Sequence, residues 1–237
     1  MTALSVRVMT YDLFIGDRTF SSWSLRGWLM LEKFGLPYRT HMVGLYTGRM
    51  AEDLADMAPA RLVPVLRLPD GTVVGESAAM AETLAERHPD AGLWPADPAA
   101  RATARWLVAE MASGFAALRG ACPMQLIDVK VGFDVSEAVA RDLARIEVLW
   151  AHAQRFASGG PWLFGAYSLA DAFYAPVCAR IVGYDLPVSE AARDYCRATI
   201  RDDAFQAWRD EGAQVSYDPV PYAMDLDTVP WPGTRFA

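Results

Sequence analysis

The spacing of apolar positions divides the chain in two. Over the first eighty-eight residues short apolar runs alternate with stretches of helical period. From residue 99 onward the period is helical, with no strand pattern before the tail. Residues 11–15 and 38–43 read as strands, and the amphipathic stretch 22–34 between them ends at Gly35 and Pro37, which makes a strand–helix–strand unit. Residues 50–57 form a second short helix. Two further apolar runs, 65–68 and 72–74, flank Pro69-Asp70-Gly71, and Asp-Gly between such runs predicts a hairpin. A third helix covers residues 77–88. The breaker-rich segment 89–98 reads as a linker, after which Asp97 caps a new helix with Pro98 at its first position. Leu107, Met111, Gly114 and Leu118 recur along that helix; Val139, Leu143, Ile146, Trp150 and Ala153 recur along the next, which Asp134 and Glu137 open as a capping box. These stripes read as core. Further helices are expected over 169–182, 189–200 and 203–211. Beyond Gln214 the prolines at 219, 221, 230 and 232 interrupt any regular pattern and predict an irregular surface arm.

The order β-α-β-α-β-β-α is that of a thioredoxin-like domain. The expected architecture is therefore α/β plus all-α: a thioredoxin-like domain over residues 1–88, a linker over 89–98, and a helical-bundle domain with an irregular tail over 99–237. With 237 residues, 53% of them hydrophobic, the chain can bury a sizeable core. Its net charge of −7 and scarcity of Lys exclude the basic footprint of a nucleic-acid binder. No apolar run reaches the roughly eighteen residues of a membrane span, and Met1 to Thr10 carry no leader pattern, so a cytoplasmic protein without a membrane partner is expected. Cys122, Cys178 and Cys196 are odd in number and widely spaced. With no Cys-x-x-Cys pair or His cluster to hold a metal, they read as reduced and structural.

Three turns carry candidate chemistry. In Thr19-Phe20-Ser21-Ser22-Trp23-Ser24-Leu25-Arg26, two hydroxyls stand where a strand turns into a helix. The free N–H groups and positive dipole end of a helix start stabilise a thiolate or carboxylate there; the alternative is that Ser21 or Ser22 only caps the helix. In Arg61-Leu62-Val63-Pro64-Val65-Leu66 a proline precedes an apolar strand. A cis Val63–Pro64 bond turns the Val63 backbone outward to pair with an extended peptide, whereas a trans bond simply starts the strand. At Gly75-Glu76-Ser77 the Ser77 hydroxyl and N–H with the Glu76 carboxylate suit an amino-acid head group, or Ser77 caps the next helix. A thiol site, a peptide edge and an α-amino-acid site together describe the parts of glutathione.

These segments resemble the glutathione transferase superfamily, over nearly the whole chain. Ser21-Ser22-Trp23-Ser24-Leu25-Arg26 is most similar to the zeta-class motif Ser-Ser-Cys-x-x-Arg, Ala58-Pro59-Ala60-Arg61-Leu62-Val63-Pro64 resembles Asn-Pro-x-x-x-Val-Pro, and Glu76-Ser77 resembles the acidic-Ser pair. Ser168-Leu169-Ala170-Asp171 is similar to the Ser/Thr-x-Ala-Asp cap of a buried helix, which serves folding. The resemblance implies that Ser21 or Ser22, with Ser21 preferred, hydrogen-bonds the glutathione sulfur beside Trp23. It implies that Val63, before Pro64, pairs with the cysteinyl backbone, and that Glu76 with Ser77 holds the γ-glutamyl end. Arg49, His41 and Arg61 are available for the glycyl carboxylate. Trp23 and Leu62 depart from the cysteine and glutamine of the zeta class. Glutathione conjugation is thus expected, with isomerisation of maleylacetoacetate or non-catalytic binding as alternatives. The electrophile site is expected between the domains from Trp23, Trp106, Met111, Phe115, Tyr217, Tyr222 and Trp231, and a two-fold homodimer is implied. No Cys-x-x-Cys stands at residues 21–24, so dithiol chemistry is excluded there.

Overall fold

A computed structural model of the chain describes residues 10–237; the leader reading of the N-terminal segment lies, apart from Thr10, outside the described residues. Its first half is a mixed four-stranded sheet in the order β2-β1-β3-β4, built from β1 (Tyr11–Ile15), β2 (Tyr38–Met42), β3 (Val65–Arg67) and β4 (Val73–Val74). β1 runs parallel to β2, Tyr11 opposite Tyr38, and antiparallel to β3, Leu13 opposite Leu66. The β3–β4 hairpin turns at Asp70-Gly71, with Gly71 at φ +90° and the Thr72 N–H donating to Asp70 Oδ1 at 2.9 Å.

Alternation along β1 explains the layers. Tyr11, Leu13 and Ile15 face α1 (Ser22–Glu32) and α3 (Ser77–Arg87), while Phe14 joins Val43, Leu54, Met57, Val63 and Val65 on the other face. Between β2 and β3 the expected helix is only a turn, α2 (Met50–Asp53), followed by a 3₁₀ turn at Ala55–Met57.

The second half is helical: α4 (Pro98–Ser113), α5 (Ala116–Ala121), α6 (Glu137–Gln154), α7 (Leu169–Gly183), α8 (Glu190–Ile200) and α9 (Asp203–Ala213). α7 is the axis of the molecule. All of its residues are buried, as a helix apolar on every side requires, and it packs on α1, α4 and α8. Its start is the expected capping box, with Asp171 Oδ2 accepting from the Ser168 N–H at 2.8 Å and the Ser168 hydroxyl at 3.1 Å. Because α1 lies between sheet and α7, one continuous apolar core joins the two halves.

Three expectations change. The helix expected to run on through Leu118 breaks after Ser113. A Cβ at Gly114 would meet the Glu110 carbonyl at 2.7 Å, and Phe115 follows in the left-handed region at φ 56°. Ser136 caps α6, accepting from the Val139 N–H at 3.3 Å, in place of Asp134 with Glu137. The arm contains a strand, β6 (Thr228–Pro230), that pairs antiparallel with β5 (Asp128–Lys130), three residues whose pattern is too short to read alone. Cys122, Cys178 and Cys196 are free and buried.

Candidate functional site

The site grows from the start of α1. Asp17 fixes the approach, its carboxylate accepting from the Phe20 N–H at 2.9 Å and its carbonyl from the Ser21 N–H at 2.8 Å. Ser21 is the N-cap. Its hydroxyl accepts from the Ser24 N–H at 3.3 Å and donates to Ser24 Oγ at 2.7 Å, which in turn accepts from the Gly16 N–H at 2.9 Å. Ser22, one residue on, has a different environment. Its oxygen accepts from Arg180 Nη2 at 3.3 Å, across from α7. Arg180 itself is anchored by two carbonyls, Nε donating to Cys122 at 2.9 Å and Nη1 to Pro176 at 3.1 Å.

These serines line a cleft of about 380 Å³ between the two halves, walled by Trp23, Tyr46 and Val63 from the first and by Arg119, Arg180 and Tyr222 from the second. Trp23 faces the cleft half-buried, with the Arg26 guanidinium 4.2 Å and that of Arg119 5.0 Å from its ring centroid. Arg26 is fully buried and also lies 5.4 Å from the Phe173 ring, and its Nε and Nη1 have no hydrogen-bond partner. No described carboxylate lines the cleft. Burial, then the proximity of Arg180 and Arg119, holds Arg26 well below the usual arginine range, and burial with Arg119 lowers Arg180 to about 10. With Arg119 and Arg180 in its wall and no carboxylate lining it among the described residues, the cleft is positive.

The Val63–Pro64 bond is cis, and Val63 lines the cleft with its N–H and carbonyl free of backbone partners among the described residues. Leu62, which lines the cleft, also lines a second groove of about 480 Å³ whose wall includes Glu76. Glu76, not Ser77, occupies the N-cap position of α3. Ser77 is the first helical residue and is buried, so the alternative of a Ser77 cap falls away because the helix begins one residue too early for it.

The candidate cations for a carboxylate do not meet in the cleft wall. Arg49 is 63% exposed and pairs with Glu52 and Asp53 of its own turn, at 3.4 and 3.5 Å. His41 stacks on Phe14 at 4.6 Å and bonds Asp12 at 2.8 Å, while Arg61 opens onto the groove beside Glu76. Of the residues expected to build an electrophile site, only Trp23 and Tyr222 line the cleft. Trp106 is exposed and donates to Glu110 at 2.9 Å, Met111 and Phe115 are core, Tyr217 packs edge-on against Phe20 at 5.1 Å, and Trp231 lies 5.4 Å from Arg209. The wall uses Arg119, Pro123, Met124 and Arg180 instead. Arg180 carried a signal in the sequence: it is a charge inside an apolar helix, which needs a buried partner.

Comparison with known proteins agrees with this geometry. Residues 20–87 match the family described as glutathione S-transferase, N-terminal domain. A protein of Caenorhabditis elegans named "Probable maleylacetoacetate isomerase" is 32% identical over 163 residues, which span 67% of this chain and 75% of that protein. Among solved structures, a glutathione transferase homologue of Burkholderia GL BGR1 with bound glutathione superposes with a TM-score of 0.63 at 25% identity, covering 87% of this chain and all of that one. A glutathione transferase of Methylococcus capsulatus shares the fold, with a TM-score of 0.63 at 23% identity over 86% of this chain and all of its own. With three quarters of that worm protein matched, and the family's N-terminal domain spanning α1, β2, β3, β4 and α3, the chain belongs to the glutathione S-transferase family.

Proposed function

We propose that this protein binds glutathione along the cleft and groove and uses the Ser22 hydroxyl to hold its sulfur as a thiolate for attack on a small electrophile. The observation that carries this reading is the contrast between the two serines. The Ser21 hydroxyl is engaged as donor and acceptor within its own helix turn, whereas Ser22 accepts from Arg180 and keeps its proton for a ligand in the cleft. This hydrogen bonding favours Ser22 over the Ser21 that class resemblance prefers. A hydroxyl donor, a helix start and a positive cleft each favour the anion over the thiol. In the same reading the Val63 backbone, without a backbone partner among the described residues and ahead of Pro64, holds the cysteinyl unit, and Glu76 with the N–H of Ser77 holds the γ-glutamyl end. Arg49, with its own acid partners, is the weakest candidate for the glycyl carboxylate. The homodimer and the cytoplasmic location belong to this reading through the family resemblance. No helix among the described residues is long and apolar enough to cross a membrane.

The test is a pH titration of the thiolate absorbance of bound glutathione. Wild type is expected to show a depressed thiol pKa, and Ser22→Ala to raise it by about one to two units. Ser21→Ala is expected to cost about 1 kcal/mol of stability as a lost cap while leaving the thiol pKa in place. Binding with an unshifted thiol would make the protein a glutathione-binding module, and loss of the shift in Ser21→Ala alone would return the role to Ser21. Isomerisation is a second reading, favoured by the name of the worm relative; turnover of a cis–trans isomerisable diketo acid without consumption of glutathione would establish it.

A further inference from the structure

Arg180 lies in the last turn of α7, whose residues are all buried, with no carboxylate against it among the described residues. Burying a guanidinium is costly unless its N–H groups are satisfied, and here the acceptors are all neutral: two main-chain carbonyls and one hydroxyl. The carbonyls of Cys122 and Pro176 come from two segments of the helical half and fix the plane of the guanidinium. The remaining Nη2 is thereby aimed across the domain boundary at the hydroxyl of Ser22, a residue of the cleft wall. An oxygen that accepts from one side turns its own O–H to another, so the contact orients the hydroxyl as well as holding it.

The groups facing Arg180 leave its charge unopposed. They are Arg26 from α1, Arg119 from α5, Cys122 at the end of α5, Tyr184 just past α7 and Tyr222 from the arm. Burial pushes the Cys122 thiol up to about 12 and the Tyr184 phenol above its ordinary value, so both stay neutral at physiological pH. The cleft thus presents positive charge behind a hydroxyl that points away from it.

We propose that Arg180 is the positioning residue of the thiol site, setting the direction of the Ser22 hydroxyl and supplying, from the second domain, charge that favours the thiolate. This rests on the reading of the cleft as a glutathione site. A purely structural tie between α7 and α1 would make the same contacts and predict only a loss of stability, so the test has to read the thiol itself.

The experiment is the thiolate titration of bound glutathione on the full chain, with Arg180→Met, Arg180→Lys, Arg119→Met, Ser22→Ala and the Ser22→Ala/Arg180→Met double variant. Each variant is first checked for folding by circular dichroism. Arg180→Met is expected to raise the bound thiol pKa by about one unit, a tenfold loss in the ionisation equilibrium, and Arg180→Lys to recover part of it by returning the charge without the fork. In the Ser22→Ala background the effect of Arg180→Met is expected to shrink to the charge contribution alone. Arg119→Met, which removes a cleft charge that does not touch Ser22, should shift the pKa less and by the same amount in either background. If Arg180→Met does not fold, Arg180→Lys with and without Ser22→Ala carries the same comparison. A wild-type pKa in both Arg180 variants, with a raised one in Ser22→Ala, would overturn the positioning role and leave the cleft reading standing. Full additivity of Arg180→Met with Ser22→Ala would overturn the claim that Arg180 acts through the hydroxyl. Wild type that binds no glutathione, or binds it with an unshifted thiol, would remove the cleft reading and the positioning role together.

Discussion

Asp171 carries four hydrogen bonds on two oxygens: the N–H groups of Leu163 and Ser168, the Ser168 hydroxyl at 3.1 Å and the Tyr195 hydroxyl at 3.0 Å. It caps the central helix and ties it to the preceding loop and to α8. Asp171→Ala leaves those buried donors without an acceptor and is expected to cost about 2–4 kcal/mol in a denaturant titration. Burial outweighs these bonds and raises the carboxyl from its ordinary 3.8 to about 6. The native state therefore holds a proton that the unfolded chain has already released, so the Asp171 contribution to stability falls as pH rises from about 4 to about 6. Asp171→Asn is expected to lower stability and to abolish that slope, which unfolding curves across this pH range would show. The motif Ser168-Leu169-Ala170-Asp171 is legible because both partners lie within one helical turn. The link between Ser22 and Arg180 is not, because 158 residues separate the hydroxyl from its donor.

At the scale of elements, α1 joins sheet to bundle, and its closest approach is at a glycine. A Cβ at Gly27 would stand 2.8 and 2.9 Å from ring carbons of Pro64, so the helix lies directly on the segment that presents Val63. Gly27→Ala gains helix propensity of up to about 1 kcal/mol but overpacks this contact, for an expected net loss of about 1–2 kcal/mol and weaker glutathione binding by calorimetry. Gly120, in α5, has nothing within 4 Å of the same added atom, so Gly120→Ala is expected to stabilise by up to about 1 kcal/mol. Elements with a full period of apolar positions, such as α1, α6 and α7, were legible in the sequence to within two residues of their ends. β5 was not, since three residues make no pattern until the arm returns to pair with them. The end of α4 was hidden too: Gly114 fits the apolar stripe of a continuing helix, and only the left-handed Phe115 beside it stops the run.

Across the whole molecule the two halves share one core. Leu25, Trp28 and Leu29 of α1 pack in the same apolar cluster as Phe173 and Val177 of α7 and Trp208 of α9, and Lys33 pairs with Asp202 over the same boundary. A fragment ending at residue 96 would expose that face of α1 to water, and at roughly 25 cal/mol per Å² the lost burial is large against typical domain stability. The expected outcome is a fragment with no cooperative thermal transition by circular dichroism, where the full chain unfolds in one step; a fragment that melts cooperatively would show the first half to be an independent domain. The arm also closes over the first half, with the Tyr46 hydroxyl donating to Tyr222 at 3.0 Å and the Tyr217 hydroxyl donating to Asp17 at the start of the site. The sequence by itself determined the strand and helix order of the first half, the Asp97 and Ser168 caps and the serine, Val-Pro and Glu-Ser positions, because these depend on spacing within a few residues. Only the tertiary structure decided which serine meets Arg180, which arginines line the cleft and which aromatic residues reach it. Those outcomes depend on α7 and the arm packing against α1, through contacts that no local period encodes.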